Sequence, residues 1–425
     1  MNPRKDYLFN TIAGLINASE AVVMMLFVTR FSNITAAGYL TIAFAVGNLL
    51  MSIGKFGIYN YLVSDSNNEY SYMDYFIARI ITVVVMLAVS FLYVLYAQHF
   101  LSYTTEKTII VLSIVLIYAA EAVEDLYVSL CQKNGWLYKG SLMFISRWAC
   151  ILVVFGVTDC IIHDVCYSLV LALIISVLVF IINLFLYRDY YHAAIYGMEV
   201  RNVNTSSASI DVHKVCSLLV TAFPLFFSSF LSFYISNASK YSLEHYASAE
   251  IQACFGFVSM PVFAIGLLNS FIYHPQIVHL TTDYREGRVC LFLKKIKKQY
   301  FIIVIITGIC LLGAYFWGIP FLSWLYHTDL SDYRSEMLIL LLAGGFLGLG
   351  GYQSVILTII RKQQYILYGY IPVAFIALIS TRHIVFRFGT IGAAISYLFL
   401  MIILSLLYEI VIRVHISDKR YACTA

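Results

Sequence analysis

Charge is what this sequence has least of. Only 12% of its 425 residues are Asp, Glu, Lys or Arg, about half the share of an ordinary soluble domain. With a mean hydropathy of +0.84, a water-soluble globule would have nowhere to hide its apolar surface, so that class is excluded. The nine cysteines form no Cys-x-x-Cys pair and no His/Cys group at zinc-ligand spacing, which argues against a metal module. Cys160 and Cys166 flank one outer turn and are the one pair placed to bridge; most of the others read as small core residues. Neither a glycine-rich phosphate loop nor a Ser/His/Asp arrangement stands out. Nucleotide-driven pumping and enzymatic chemistry therefore have no visible seat, and no cofactor or metal is implied.

What the chain does have is length of apolar run. Stretches such as 109–120 and 169–186 carry no charge, and most runs approach the ~20 residues a helix needs to cross the hydrocarbon core. The expected fold class is an all-α integral membrane protein. Its twelve predicted spans are 7–29, 36–58, 73–97, 108–130, 140–157, 163–187, 215–237, 247–274, 299–317, 335–359, 364–381 and 389–411. The first is long and contains Asn10, Asn17 and Glu20, so it reads as a retained span, not a cleaved leader.

An even number of spans puts both termini on one side, and Lys and Arg choose the side. Eighteen of the 27 bases fall in the termini and the loops on their side, six in the opposite loops (Arg30, Lys107, Lys240, Arg334, Arg382 and Arg387), and Lys55, Arg79 and Arg147 inside spans. That asymmetry predicts cytoplasmic termini. It also accounts for the net charge of +4 without a nucleic-acid partner.

The longest gap, 188–214, lies near the midpoint and includes the polar stretch 202–209. It divides the chain into an N-terminal lobe, 1–187, a cytoplasmic linker, and a C-terminal lobe, 215–425, each of six helices. Thr29-Arg30-Phe31-Ser32 after the first span recurs as Ser239-Lys240-Tyr241-Ser242 after the seventh, a faint internal repeat of the kind found in transporters built from two related bundles. In 285–298, bases alternate with Val289, Leu291, Phe292 and Ile296, an amphipathic pattern suited to an anionic leaflet or to orientation alone.

Polar residues at membrane depth are the functional candidates, because lipid rejects them. Asn10, Asn17 and Glu20 share one face of the first span, and Ser228, Ser232 and Ser236 recur every four residues in the seventh. Both stripes suit the lining of a central cavity, and the serines equally suit helix packing. In the fourth span Glu121, Glu124 and Asp125 form an i, i+3, i+4 set at nearly the depth of Arg147 in the fifth. Two readings stay open. Arg147 is either a structural partner of Glu121 or Glu124, or, with Arg79 and Lys55, a source of positive charge for an anionic head group. Glu20, Glu121 and Glu124 are the carboxylates available for ion coupling; Arg147, Arg79, Lys55, Asn17, Ser228 and Ser232 are the groups available to cargo. Gly344, Gly345, Gly348, Gly350 and Gly351 crowd the tenth span, for close packing or a bend.

The N-terminal quarter carries a more specific likeness. Ala36-Ala37-Gly38-Tyr39, Ala45-Val46-Gly47-Asn48, Gly54-Lys55-Phe56-Gly57-Ile58 and Val63-Ser64-Asp65 resemble the corresponding stretches of Wzx-type polysaccharide flippases, of the multidrug/oligosaccharidyl-lipid/polysaccharide exporter superfamily. The resemblance implies two six-helix lobes in a bacterial inner membrane, moving an undecaprenyl-pyrophosphate-linked oligosaccharide from the inner to the outer leaflet by alternating access on a H+ or Na+ gradient. Glycosyltransferases and a polysaccharide polymerase would be its working partners. Where such proteins often continue Gly-Ile-Arg-Asn, this chain has Gly57-Ile58-Tyr59-Asn60, which shifts any pyrophosphate contact there to Lys55 and Arg79. The competing functions are a cation-coupled multidrug exporter of the same superfamily and, from a different class, a membrane polysaccharide polymerase or ligase. The short outer loops speak against the enzyme.

Overall fold

The protein is described by a computed structural model covering residues 3–65, 67–201 and 212–420. No strand occurs among the described residues. Ten helical stretches there are long and apolar enough to cross a bilayer. Two more complete the twelve expected spans: a charged fourth-span helix, and the second half of the last helix. The chain clusters into two compact units, Met1–Phe233 and Tyr234–Ala425.

In the first unit, α1 (Pro3–Phe31) is followed by α2 (Ile34–Lys55), which opens on Asn33; its side-chain oxygen accepts from the Ala36 N–H at 2.7 Å. That cap satisfies a helix-end donor. Phe56 and Gly57 then adopt left-handed backbone (φ 46° and 71°), ending α2 and starting the short α3 (Ile58–Ser64). A Cβ at Gly57 would lie 2.7 Å from the Leu225 Cβ, so glycine meets both a conformational and a steric need there. The expected span 36–58 thus ends in a sharp turn at its last residues. After α4 (Tyr72–Phe100), begun by the Ser71/Asp74 capping box, comes α5 (Thr105–Lys133). It packs against α2, α4, and the following α6 (Leu137–Ile162) and α7 (Val165–Leu186). Its acidic residues weaken its hydropathy, yet Glu121 and Glu124 are almost wholly buried, because α5 is surrounded by protein on several sides.

Part of the predicted linker is helical: α8 (Arg188–Arg201) buries Tyr191 and Ala194 against the ends of α3, α4 and α5. The polar stretch 202–209 lies outside the described residues. Cys160 and Cys166 are free, so the bridge considered for the outer turn is absent. The next helix, α9 (Val212–Glu244), continues past the predicted end at 237 and places Lys240 inside the helix, not in an outer loop. No proline or glycine interrupts residues 237–244 to stop it sooner.

In the second unit the predicted span 247–274 is two helices, α10 (Ala249–Ser259) and α11 (Pro261–Tyr273), split where Pro261 removes a backbone donor. Then come α12 (Ile277–Arg285) and α13 (Val289–Gly313). The basic stretch 289–298 is therefore the first turns of a long helix and not a separate surface segment; Val289, Phe292 and Ile296 are its buried stripe, while Leu291 is exposed. α14 (Ile319–Tyr326) leads to α15 (Arg334–Ile359). On α15 two of the glycines serve close contact: a Cβ at Gly345 would meet Thr307 at 2.6 Å, and one at Gly348 would meet Asn269 at 2.6 Å, whereas nothing lies within 4 Å of one at Gly350. The last helix, α16 (Gln364–Arg420), covers both remaining spans. The predicted loop at 382–388 is helical, and the only break is Gly389 (φ 58°, ψ −134°), a conformation open essentially to glycine alone.

Candidate functional site

A buried ionic network occupies the first unit, organised by α5. Two turns of it present Tyr118, Glu121, Glu124 and Asp125 to four neighbouring helices, α1, α2, α4 and α6, and the i, i+3, i+4 spacing of the three acids sets the faces they occupy. Glu121 is the hub. Its Oε1 accepts from Lys55 Nζ at 2.9 Å, and its Oε2 accepts from Arg147 Nη2 at 3.2 Å and from the Trp148 indole N–H at 2.9 Å. Arg147 also donates from Nε to Glu124 Oε2 at 2.7 Å and from Nη1 to Ser176 Oγ on α7 at 3.2 Å. With 0% of its surface exposed, Arg147 is held by two carboxylates and a hydroxyl, which is what a guanidinium needs to remain charged away from water.

A second branch begins at Arg79 on α4, also 0% exposed. Its Nη2 donates to Asp125 Oδ2 at 2.9 Å and its Nη1 to the Gly54 carbonyl at 2.7 Å, where the Thr82 hydroxyl joins at 2.9 Å. Gly54 lies in the last turn of α2, whose carbonyls lack intrahelical partners. Arg79 therefore closes α2 with a side chain from another helix, and fixes the turn from which Lys55 reaches Glu121. Lys55 is the accessible base of the set, its side chain 31% exposed. Tyr59 donates its hydroxyl to Gln132.

Glu20 joins the network differently. Its Oε1 accepts the Tyr118 hydroxyl at 2.6 Å, and its Oε2, buried, has no partner. Tyr118 can lie against α2 because residue 47 is glycine: a Cβ there would sit 2.8 Å from the ring. Three bases thus face three acids, Lys55, Arg79 and Arg147 against Glu121, Glu124 and Asp125, while Glu20 meets only a phenol.

The sequence candidates sort accordingly. Lys55, Arg79, Arg147, Glu20, Glu121 and Glu124 come together. Asn10 and Asn17 are exposed and Glu20 is buried, so the first-span stripe divides between two environments. Ser228 and Ser232 on α9 are half-buried and are not partners of the charged groups. Sequence reasoning missed Tyr118, Trp148 and Ser176. Among 34 Tyr and 4 Trp, no spacing singled out these two rings.

The second unit has its own polar cluster. Glu409 Oε2 accepts from Tyr300 at 2.7 Å and from Gln353 Nε2 at 3.3 Å, Ser405 donates to Gln353 Oε1 at 3.1 Å, and Arg413 donates to Glu409 Oε1 at 2.6 Å. No group of three or more His, Cys, Asp or Glu arranged to hold a metal occurs among the described residues.

The fold is that of the MATE transporters of the MOP superfamily. The chain is similar to an inward-facing multidrug resistance MATE family transporter of that superfamily, with a TM-score of 0.68 and 10% identity over 95% of this chain and 96% of the other. It is similar to the MATE transporter VcmN of Vibrio cholerae in its bent form (TM-score 0.59, 13% identity, 98% of each chain). A third similar structure is a MOP-superfamily transporter from Pyrococcus furiosus, whose reverse polarity of the binding pocket suggests a different function (TM-score 0.61, 11% identity, 98% of this chain and 96% of that one). No protein-family model matches the sequence, and no curated protein matches it. Fold and composition together make it a multi-pass, all-helical membrane protein of this architecture.

Proposed function

We propose that the chain is a gradient-coupled transporter that moves a polyprenyl-pyrophosphate-linked oligosaccharide from the inner to the outer leaflet of a bacterial inner membrane, with both termini in the cytoplasm and six-helix halves at 1–187 and 215–425. The observation that carries the coupling is the charge balance of the buried network. Every base in it is matched by an acid, and Glu20 is the carboxylate left over, bonded to a tyrosine and to no cation. Such a group is suited to gain and lose a proton or a metal cation without dismantling the surrounding ion pairs. For the cargo, Lys55 is the base placed to meet a pyrophosphate, since it alone of the three is partly exposed. Arg79 and Arg147 act behind it, holding the turn and Glu121 in place. Asn17, exposed on the same helix as Glu20, and Ser228 and Ser232 are assigned to the sugar.

A second reading, export of cationic drugs, draws on the fold shared with a multidrug resistance transporter and on the carboxylate at Glu20. The two separate in a leaflet assay for lipid-linked oligosaccharide in cells lacking and then regaining the protein. Oligosaccharide confined to the inner leaflet only in its absence is the expected result; an unchanged distribution, with drug sensitivity altered instead, refutes the flippase reading.

A further inference from the structure

A cavity of about 790 Å³ opens in the second unit, where α12, the end of α15 and the start of α16 meet. That volume falls in the range of small-ligand sites. Two arginines line it, Arg285 at the end of α12 and Arg361 in the turn after α15. They are 76 positions apart in sequence, and the left-handed backbone at Arg361 (φ 59°), with its N–H on the Thr358 carbonyl at 3.0 Å, closes α15 beside the cavity. Both side chains are exposed, and neither forms an ion pair among the described residues. No acid lines the cavity; nearby Asp283 is already held by Arg288 at 3.0 Å and Lys295 at 2.5 Å.

Apart from Tyr284, the remaining lining is of two kinds. Ile277, Ile359 and Ile366 supply apolar wall, and Thr281, Ser354 and Thr358 supply hydroxyls. Each of those hydroxyls donates to a carbonyl of its own helix, Ile277, Gly350 and Ser354 respectively, at 2.8 to 2.9 Å. Toward a ligand they are acceptors, while the two guanidinium groups are donors without an acid. The complementary molecule has an anionic group for the arginine forks, hydroxyls to donate, no ammonium, and an apolar chain. In the order of spans, α12 follows the eighth and the Arg361 turn follows the tenth, so both lie at the same membrane face, the one whose loops carry most of the Lys and Arg.

We propose that this cavity binds an anionic glycerophospholipid of that leaflet with the chemistry of phosphatidylglycerol: phosphate on Arg285 and Arg361, glycerol hydroxyls on the Thr and Ser oxygens, and acyl chain along the isoleucines. The site is independent of the transported cargo and does not involve the first unit's network.

Native mass spectrometry of the purified full chain tests it, using phosphatidylglycerol and phosphatidylcholine of identical acyl chains. The wild type should retain phosphatidylglycerol on the order of tenfold more strongly. Arg285→Gln with Arg361→Gln should bring the two lipids to parity, while Arg285→Lys with Arg361→Lys should keep part of the preference, since charge survives and the fork does not. Inorganic phosphate added alone should not displace the lipid. Equal retention by the wild type, a preference undiminished in the Gln pair, or displacement by free phosphate would each overturn the proposal. Should the Gln pair fail to insert, the single Arg361→Gln variant is read in its place, with a partial loss expected and an unchanged preference counting against the site.

Discussion

The hydroxyl of Tyr118 on α5 donates to Oε1 of Glu20 on α1 at 2.6 Å, with both side chains almost wholly buried. Among the described residues this is the one hydrogen bond between Glu20 and the rest of the network. It sets what substitution at either end should do.

Glu20→Gln keeps the shape and an acceptor for Tyr118 but removes titration. The variant should insert normally and lose its response to the driving gradient, with transport falling by about tenfold or more, the effect of about 1.4 kcal/mol on the coupled step. Flux measured with and without an imposed gradient checks it. Unaltered flux and unaltered gradient dependence would end the coupling role.

Arg147→Ala leaves Glu124 without its ion-pair partner, whereas Glu121 still has Lys55 and Trp148. Breaking a buried pair from one side costs about 3–5 kcal/mol, so thermal unfolding of the purified protein should drop sharply. Adding Glu124→Gln should restore most of the stability, and adding Glu121→Gln less. Recovery of transport alongside stability would assign Arg147 a positioning role. A stable double variant that fails to transport would instead implicate it directly with the head group.

Gly47→Ala drives a methyl group to 2.8 Å from the Tyr118 ring. Overpacking of that kind costs about 1–3 kcal/mol, and by displacing the Tyr118 hydroxyl from Glu20 it should lower transport, as Tyr118→Phe, which removes the same hydrogen bond, is also expected to do. Gly14→Ala is the control, because nothing lies within 4 Å of a Cβ there and helix propensity favours alanine by about 1 kcal/mol. Melting curves of the two variants should move in opposite directions.

The proposed orientation is checked by cysteine labelling in a background freed of reactive thiols. Glu250→Cys, exposed near the start of α10, should react with an impermeant reagent in intact cells, and Gln363→Cys, exposed between α15 and α16, should react only after permeabilisation. Ser242, at the end of the seventh span, is buried and makes a poor reporter. The reverse pattern would invert the topology.

Hydropathy made the spans legible because lipid imposes one dominant constraint on composition. It failed where basic residues interrupt the hydropathy without interrupting the helix. At 382–388 two arginines resembled a loop, yet no breaker stands before Gly389 and the helix continues. Lys240 resembled an outer-loop base for the same reason. The acids of α5 and Arg147 were readable as partners because helical spacing fixes which faces they occupy. The tie to Tyr118 was not, since it depends on how closely α2 approaches α5, and that depends on Gly47. Nor did the sequence reveal Arg79 closing α2: a backbone carbonyl leaves no mark in side-chain patterning.

The pairing of three bases with three acids has an electrical consequence. With those formal charges in place, displacing the cluster as one rigid body across a membrane potential does no net work on the field, because the ~2.3 kcal/mol per charge per 100 mV cancels between partners. Any voltage dependence originating in this part of the first unit then reports the occupancy of Glu20 alone. Its magnitude is that of at most one elementary charge crossing part of the potential drop, and it should vanish in Glu20→Gln.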